Sequence, residues 1–414
     1  MDLSKIIEKK AEAAAYMQEE ITNVIKTFGK RDPGSEGEKQ SVEYMAKQLE
    51  EYTDEVVVEP FDVYPASFMS WIYISVTFVF LAMAAYFFMP ILSMVLVIAA
   101  MVIMFGQFIM YKRLVDKLFE KKTSYNLTSI KKPKGEVKRR LFYNGHPDAA
   151  YEWPMVYHLG GKAMLAILLS VFTGIVYMFG VIIAGIVLRG VNQAATVIGA
   201  GDIINKLGYG MFAFVPSFIS MFFFWNERRV VDGANDNLTA CYMGISIMKA
   251  LKESGIELEN TEVGVLITGS EEAGLRGAKA WTEAHKGEYE DVPTYIFAFD
   301  TIREKEFLGV NNRDLNGTVK ADPTAASIFK NAAKKLGLTC NDTTVPLGAT
   351  DSAAFNQGGF KAVGITGMSH DIQKYYHTRE DSYDNTDLDA LADCFAISVQ
   401  ALEDLENEAA VEKK

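Results

Sequence analysis

Two histidines and a run of carboxylates fall just past predicted strand ends in this chain of 414 residues. Gly145-His146-Pro147-Asp148 follows a short strand, Leu141 to Asn144, and Gly233-Ala234-Asn235-Asp236-Asn237 opens a helix. Glu271-Glu272 follows an apolar strand that ends at Thr268, and Asp300 ends the buried strand Tyr295 to Phe299. Tyr376-His377-Thr378 comes last, with Asp381 close behind. Ligands of open α/β sheets bind beyond the carboxyl ends of the strands. Imidazoles mixed with hard carboxylates suit zinc or a similar divalent ion. Two adjacent glutamates, if buried, repel unless a cation holds one and a proton or water engages the other. A two-metal site needs a bridging carboxylate, ligands on each side and a base for water, and this set supplies all of them. Each cluster alone has a plainer reading: Asp236 as a helix cap, Asp300 as a strand-end carboxylate, Glu271-Glu272 as a solvated pair. Together, in this order and after strands, they are poorly explained by chance.

The elements that must position these groups alternate between helix and strand. Residues 4–29 and 36–52 read as helices, the second with Ser35 as N-cap and Glu38 completing a capping box. Asp54 to Val63 reads as a strand, as do Val263 to Thr268 and Ala362 to Thr366. Helices are expected over Asp236 to Glu253, Gly274 to His285, Asp322 to Leu336 (capped by Asp322, with Pro323 at its first position) and Asp387 to Glu406. The tail beyond Glu406 reads as frayed. Strands followed by helices predict an α/β fold, a sheet covered on both faces.

Average composition hides a second feature. The chain is 49% hydrophobic and 23% charged, yet its mean hydropathy is slightly positive at +0.06. The charge is segregated. No charged residue occurs between Val63 and Tyr111, which reads as two bilayer-length spans, Ala66 to Phe88 and Pro90 to Met110. Ala163 to Leu188 and Leu207 to Asn226 read as a second pair. Apart from tyrosines, no ionisable group falls inside these spans, which argues against ion conduction. Lys112, Arg113, Lys117, Lys121, Lys122, Lys162, Arg228 and Arg229 lie on the side of the chain ends, against only Arg189 and Lys206 on the other. The basic side, and the polar domain with it, is expected in the cytoplasm. Met1 to Lys30 is highly charged and reads as an amphipathic helix rather than a signal peptide. The net charge of −12 argues against nucleic acid as a partner. Three scattered cysteines, Cys241, Cys340 and Cys394, form no disulfide framework. Residues 1–65, 112–160 and 227–414 are therefore expected to form one discontinuous domain. Residues 66–111 and 161–226 are expected to form two membrane hairpins.

The order His-x-Asp, Gly-Ala-x-Asp-Asn, Glu-Glu-x-Gly, Phe-Asp and Tyr-His-Thr-x-x-Asp resembles the M28 family of zinc aminopeptidases. The stretch Gly29-Lys30-Arg31-Asp32-Pro33-Gly34-Ser35-Glu36-Gly37-Glu38 resembles that family's entry motif. The resemblance implies a mixed β-sheet flanked by helices, carrying two zinc ions. His146 and Asp300 would hold one zinc, Glu272 and His377 the other, and Asp236 would bridge them. Glu271 would be the general base, and Asp148 would orient His146. A cis peptide after Asp236 is also implied. Tyr376 and Asp351 are weaker candidates for substrate contacts. Thr350-Asp351-Ser352 departs from the family's frequent Ser-Asp-His. The implied activity is a membrane-anchored aminopeptidase acting on peptides. The alternatives are carboxypeptidase or glutaminyl cyclase chemistry on the same fold, or a non-enzymatic membrane scaffold. The second hairpin separates Asp148 from Asp236, so the active site is expected near the membrane surface.

Overall fold

The computed structural model describes residues 1–189, 203–369 and 371–411. The turn of the second hairpin, at 190–202, lies outside the described residues. Eleven strands occur among them: β1 Glu55–Val63, β2 Lys122–Lys131, β3 Arg139–Gly145, β4 Tyr151–Glu152, β5 Asn226–Val230, β6 Thr261–Thr268, β7 Thr294–Ile302, β8 Leu308–Asp314, β9 Val319–Lys320, β10 Asn341–Thr344 and β11 Lys361–Gly367. The main sheet runs β1-β2-β6-β3-β7-β11-β8-β10, with β9 paired to β8. Its centre, β6-β3-β7-β11, is parallel, and β2 and β8 join it antiparallel. The expected mixed α/β sheet flanked by helices is thus the fold observed.

Alternation along the central strands decides what covers each face. Tyr143, Val265, Ile267, Phe297 and Phe299 point to one side, where helices Lys10–Phe28, Glu36–Tyr52, Thr239–Glu253, Pro323–Leu336 and Leu388–Val411 bury them. Phe142, Leu266 and Ile296 point to the other, against Trp281, Phe355 and the apolar helices. Fully apolar faces on both sides are what a central parallel strand requires.

Among the described residues, four helices are long and apolar enough to cross a membrane: Ser67–Tyr86, Pro90–Ile109, Gly161–Val187 and Ile203–Phe223. Their outward residues, such as Val95, Leu169, Phe172 and Phe223, are more than half exposed, a surface suited to lipid rather than water. Two boundaries differ from expectation. The third helix begins at Gly161 and takes in Lys162, and the fourth begins at Ile203 and takes in Lys206. A lysine near a helix end can carry its ammonium out along its own stem, so it does not stop the helix. The fourth span ends early because Asn226 already pairs with Glu152.

Both apolar hairpins are spliced into the tips of β-hairpins. Val63 of β1 faces Lys122 of β2, and residues 64–121 replace the turn between them. Glu152 of β4 faces Asn226 of β5, and residues 153–225 replace that turn. The β1-β2 register is regular up to the first insertion, whereas the β4-β5 pair shifts register between Tyr151 and Glu152, beside the second. Because β2 runs antiparallel to β6, its first residues lie beside the end of β6 at Thr268. The first hairpin thus leaves the sheet at the edge where Glu271 begins.

A buried polar clasp fixes that exit. The second apolar helix ends in a π-helical turn, Met104–Ile109, which carries the buried Gln107. Asp116 accepts from Gln107 Nε2 at 3.0 Å, Ser67 Oγ at 2.8 Å and Arg276 Nη2 at 3.1 Å. The Asp116 and Arg276 side chains are 5% and 2% exposed. Removing one partner leaves the other charge buried and unpaired, so Asp116→Ala is expected to destabilise the protein by about 3 kcal/mol. Thermal unfolding in detergent reads this as a lowered Tm, and an unchanged Tm would contradict it.

Several elements lay outside the sequence reading. Strand β2 (KTSYNLTSIK) is polar and alternating, and is held by neighbours on both sides. Strands β8 and β10 and helix Asp351–Gln357 are short and polar at one end. The regular helix expected from Asp236 starts at Thr239, because Asp236 and Asn237 have non-helical backbones. The last helix continues to Val411 rather than fraying after Glu406.

Candidate active site

Strand register brings the first two groups together. Asn144 of β3 lies opposite Ala298 of β7, so His146 and Asp300, each two residues further on, emerge side by side. Glu271 and Glu272 form a tight turn just past the end of β6. Asp236 lies on the loop before helix Thr239–Glu253, and its peptide to Asn237 is cis. Asn237 ties that loop to β7 by donating from Nδ2 to the Phe299 carbonyl at 2.9 Å. His377 follows β11 on a loop anchored by a 2.8 Å bond from Trp153 N–H to its carbonyl. Its ring packs between Tyr376 at 4.2 Å and Trp153 at 4.4 Å, centroid to centroid.

The side chains converge as two overlapping triads. His146, Asp236 and Asp300 offer ligand atoms within 4.8 Å of one another, and so do Asp236, Glu272 and His377. Asp236 belongs to both. Its Oδ1 lies 3.4 Å from His146 Nε2 and its Oδ2 3.1 Å from His377 Nε2. Glu271 stands outside both triads, with Oε2 3.7 Å from His146 Nε2. Asp148 accepts from the backbone N–H of Glu271 at 3.1 Å and of Glu272 at 2.9 Å. Its carboxylate is also 3.4 Å from His146 Nδ1, while its own carbonyl is 3.2 Å from that nitrogen. One residue therefore fixes a ring and the glutamate turn together.

Electrostatics show what this arrangement lacks. Burial, reinforced by neighbouring carboxylates, pushes the pKa values of Glu271, Glu272 and Asp300 well above the usual carboxylate range. Burial opposes charge on His146 too, but Glu271, Asp148 and Asp236 outweigh it and hold its pKa well above normal. Burial also opposes ionisation of Asp236, yet bonds to His146 and His377 keep its pKa far below normal. The protein alone collects protons here to balance its acids. His146 Nε2 and Glu272 Oε1 are buried with no hydrogen-bond partner. Divalent cations would supply both the charge and the missing partners, so the donor set fits zinc.

Two weaker sequence candidates separate. Tyr376 lines the cavity above the triads, and burial raises its pKa well above normal. Asp351 does not line it. Its carboxylate accepts from Thr268 Oγ1.

Three residues that the sequence offered only as parts of motifs have positioning roles. Arg31 is fully buried and donates from Nε to the Pro147 carbonyl at 2.9 Å and from Nη2 to the Asp232 carbonyl at 2.6 Å. It clamps the His146 loop to the Asp236 loop. Glu38 makes only half of the expected capping box. Ser35 accepts from Glu38 N–H, but the Glu38 carboxylate turns to Gly34 N–H at 2.7 Å and Ser270 N–H at 2.6 Å. It thereby holds the residue before Glu271. Asp381 accepts from the N–H groups of Asn235 and Asp236 at 2.8 and 3.2 Å. The Arg31 and Glu38 signal lay in the entry motif, whose role no spacing argument reveals. Arg31→Ala is expected to cost about 3 kcal/mol, since it strips charged donors from two buried carbonyls. It should also weaken zinc binding by roughly tenfold or more, as losses in a metal site's supporting shell do. Unfolding and zinc titration check both, and two unchanged values would contradict the clamp.

No curated protein matches this chain significantly. Among solved structures, a zinc aminopeptidase from Bacillus subtilis is 13% identical with a TM-score of 0.55, covering 93% of this chain and 94% of its own. An aminopeptidase from Aneurinibacillus sp. strain AM-1 is 12% identical with a TM-score of 0.55, covering 97% and 95%. The glutaminyl cyclase of Porphyromonas gingivalis is 10% identical with a TM-score of 0.53, covering 95% and 98%. These likenesses describe the fold. The model of peptidase family M28 matches residues 220–402, a stretch holding Asp236, the glutamate turn, Asp300 and His377. Over that stretch, the chain is similar to peptidase family M28.

Proposed function

We propose that the chain is a membrane-anchored aminopeptidase using two zinc ions. The observation that carries this reading is the pair of ligand triads sharing Asp236. His146 and Asp300 would hold one ion, Glu272 and His377 the other, with Asp236 between. Zinc there supplies a Lewis acid for the scissile carbonyl and water acidified toward neutral pH. Glu271 accepts the proton of the attacking water and delivers it to the departing amine. Asp148 keeps Glu271 in place through its backbone, and Asp236, Asp300 and Glu272 present charge to the free α-amine of the peptide. Tyr376, above the triads, is placed to donate to oxygen that gains charge during attack.

The four apolar helices are read as membrane spans. The excess of Lys and Arg on the catalytic side supports a cytoplasmic position for that domain. Glutaminyl cyclases share the fold, and their chemistry closes an N-terminal glutamine without water. A separate base beside two complete ligand triads favours hydrolysis over cyclisation. Purified protein should carry about two zinc ions per chain and release amino acids from aminoacyl amides. One zinc, with cyclisation of glutaminyl peptides instead, would overturn the reading.

A further inference from the structure

The cavity over the two triads is walled by the ends of the apolar helices. Phe68 and Met69 come from the first turn of the first, and Phe108 and Tyr111 from the end of the second. Trp225 follows the fourth directly. Ile372, also in the wall, packs so closely on Gly161 at the start of the third that a Cβ there would meet its carbonyl oxygen at 2.4 Å. All four spans thus converge around the opening that leads to Asp236, Glu271 and Glu272. Phe68 also fills the space beside Gly274, where an added Cβ would lie 2.8 Å from its ring. The membrane bundle therefore contacts the turn that carries the catalytic glutamates.

The level of the bilayer surface can be read from side-chain types. Tryptophans gather at membrane–water interfaces, and basic residues flank them on the cytoplasmic side. Of the four tryptophans, Trp71 and Trp225 belong to these helix ends, Trp153 precedes the third span by eight residues, and Trp153 and Trp225 line the cavity itself. Lys112, Arg113, Arg228 and Arg229 follow within a few residues of the spans. Trp153 and Trp225 thus belong to both the cavity wall and the interfacial belt. An anchor needs no such arrangement, since a spliced hairpin can leave a sheet anywhere. Here both hairpins leave at the catalytic edge, and their apolar core is continuous with one face of the sheet.

We propose that this enzyme acts on polypeptides that are themselves held in the bilayer, whose N-terminal residues lie at the cytoplasmic interface. The proposal rests on the aminopeptidase reading and names its substrate class. A substrate anchored a few residues from its N-terminus would enter along the aromatic wall without leaving the membrane surface. Its own anchor would supply the local concentration. A free cytosolic peptide would have to enter over the loop of residues 344–350, which forms another part of the wall.

Spacer length separates this from simple enrichment at the membrane. The protein is reconstituted in vesicles with peptides sharing one N-terminal sequence and one C-terminal acyl anchor. In one, about five residues separate N-terminus and anchor, reaching roughly 17 Å when extended. In the other, a Gly/Ser linker of about 30 residues intervenes, with a mean span of roughly 30 Å. Both are equally concentrated on the vesicle. The short form should show about tenfold higher kcat/KM. Binding to the Glu271→Gln protein, read by fluorescence, should show the same preference without any hydrolysis. Equal or better handling of the long form, in cleavage or in binding, overturns the proposal. If neither form is cleaved while the short one still binds preferentially, the aminopeptidase reading fails and the interfacial docking site stands.

Discussion

Glu271→Gln should retain its zinc and its Tm while losing hydrolysis by about a thousandfold, the range of a positioned general base. The substitution keeps the shape of the side chain and removes only its ability to take a proton. Glu271 lies outside both ligand triads, so neither metal position loses a donor. Its backbone N–H is held by Asp148, and that bond does not depend on the side chain. Gln also relieves repulsion. Glu271 is 8% exposed among Glu272, Asp351 and Asp300, which help raise its pKa. Metal content, Tm and kcat measured on one preparation test the three statements together. Loss of zinc would make Glu271 a ligand, and retained activity would remove it from the mechanism.

Asp236→Ala should do the reverse and abolish metal binding at both positions. No other residue belongs to both triads. The two histidines would keep their remaining acidic partners but lose the carboxylate lying 3.4 and 3.1 Å from their Nε2 atoms. In the metal-free protein two effects oppose each other. Removing one carboxylate from a buried acidic cluster relieves repulsion on Glu272, Asp300 and Asp381, but it also removes the acidic partner that His146 and His377 hold ionised. The zinc-dependent part of the stability therefore isolates the bridging role. What disappears is stabilisation by zinc, about 2.7 kcal/mol at a hundredfold excess over Kd. A Tm measured with and without zinc shows this directly. A zinc-dependent rise that survives in Asp236→Ala would contradict the bridging role.

How much of this was legible in the chain differs by kind of residue. The groups that converge on the site were all visible, because Asp236 opens a helix and the others follow strands whose apolar runs announce themselves. Register then does the rest, as with Asn144 opposite Ala298. The apolar spans were visible because a long stretch without charge has few other uses. Strand β2 was hidden because its polar residues earn no hydropathy signal and its pairing with β1 and β6 is long-range. Arg31 and Glu38 were hidden for another reason. Their partners are backbone groups at Pro147, Asp232 and Ser270, and nothing in sequence spacing relates those positions. Asp351 was visible in a matching motif, but its bond to Thr268 rather than a place in the cavity wall could not be read from the chain. The walling of the cavity by Phe68, Phe108 and Trp225 was out of reach as well, since it follows from where both hairpins leave the sheet.

The most direct test of the central claim is the mass of a defined peptide after incubation with the zinc-loaded protein. A peptide beginning with glutamine and held near a vesicle surface distinguishes the chemistries at once. The account predicts stepwise loss of residues from the N-terminus, absent with Glu271→Gln. Shortening from the C-terminus, loss of ammonia from the intact N-terminal glutamine, or an unchanged peptide would each contradict it.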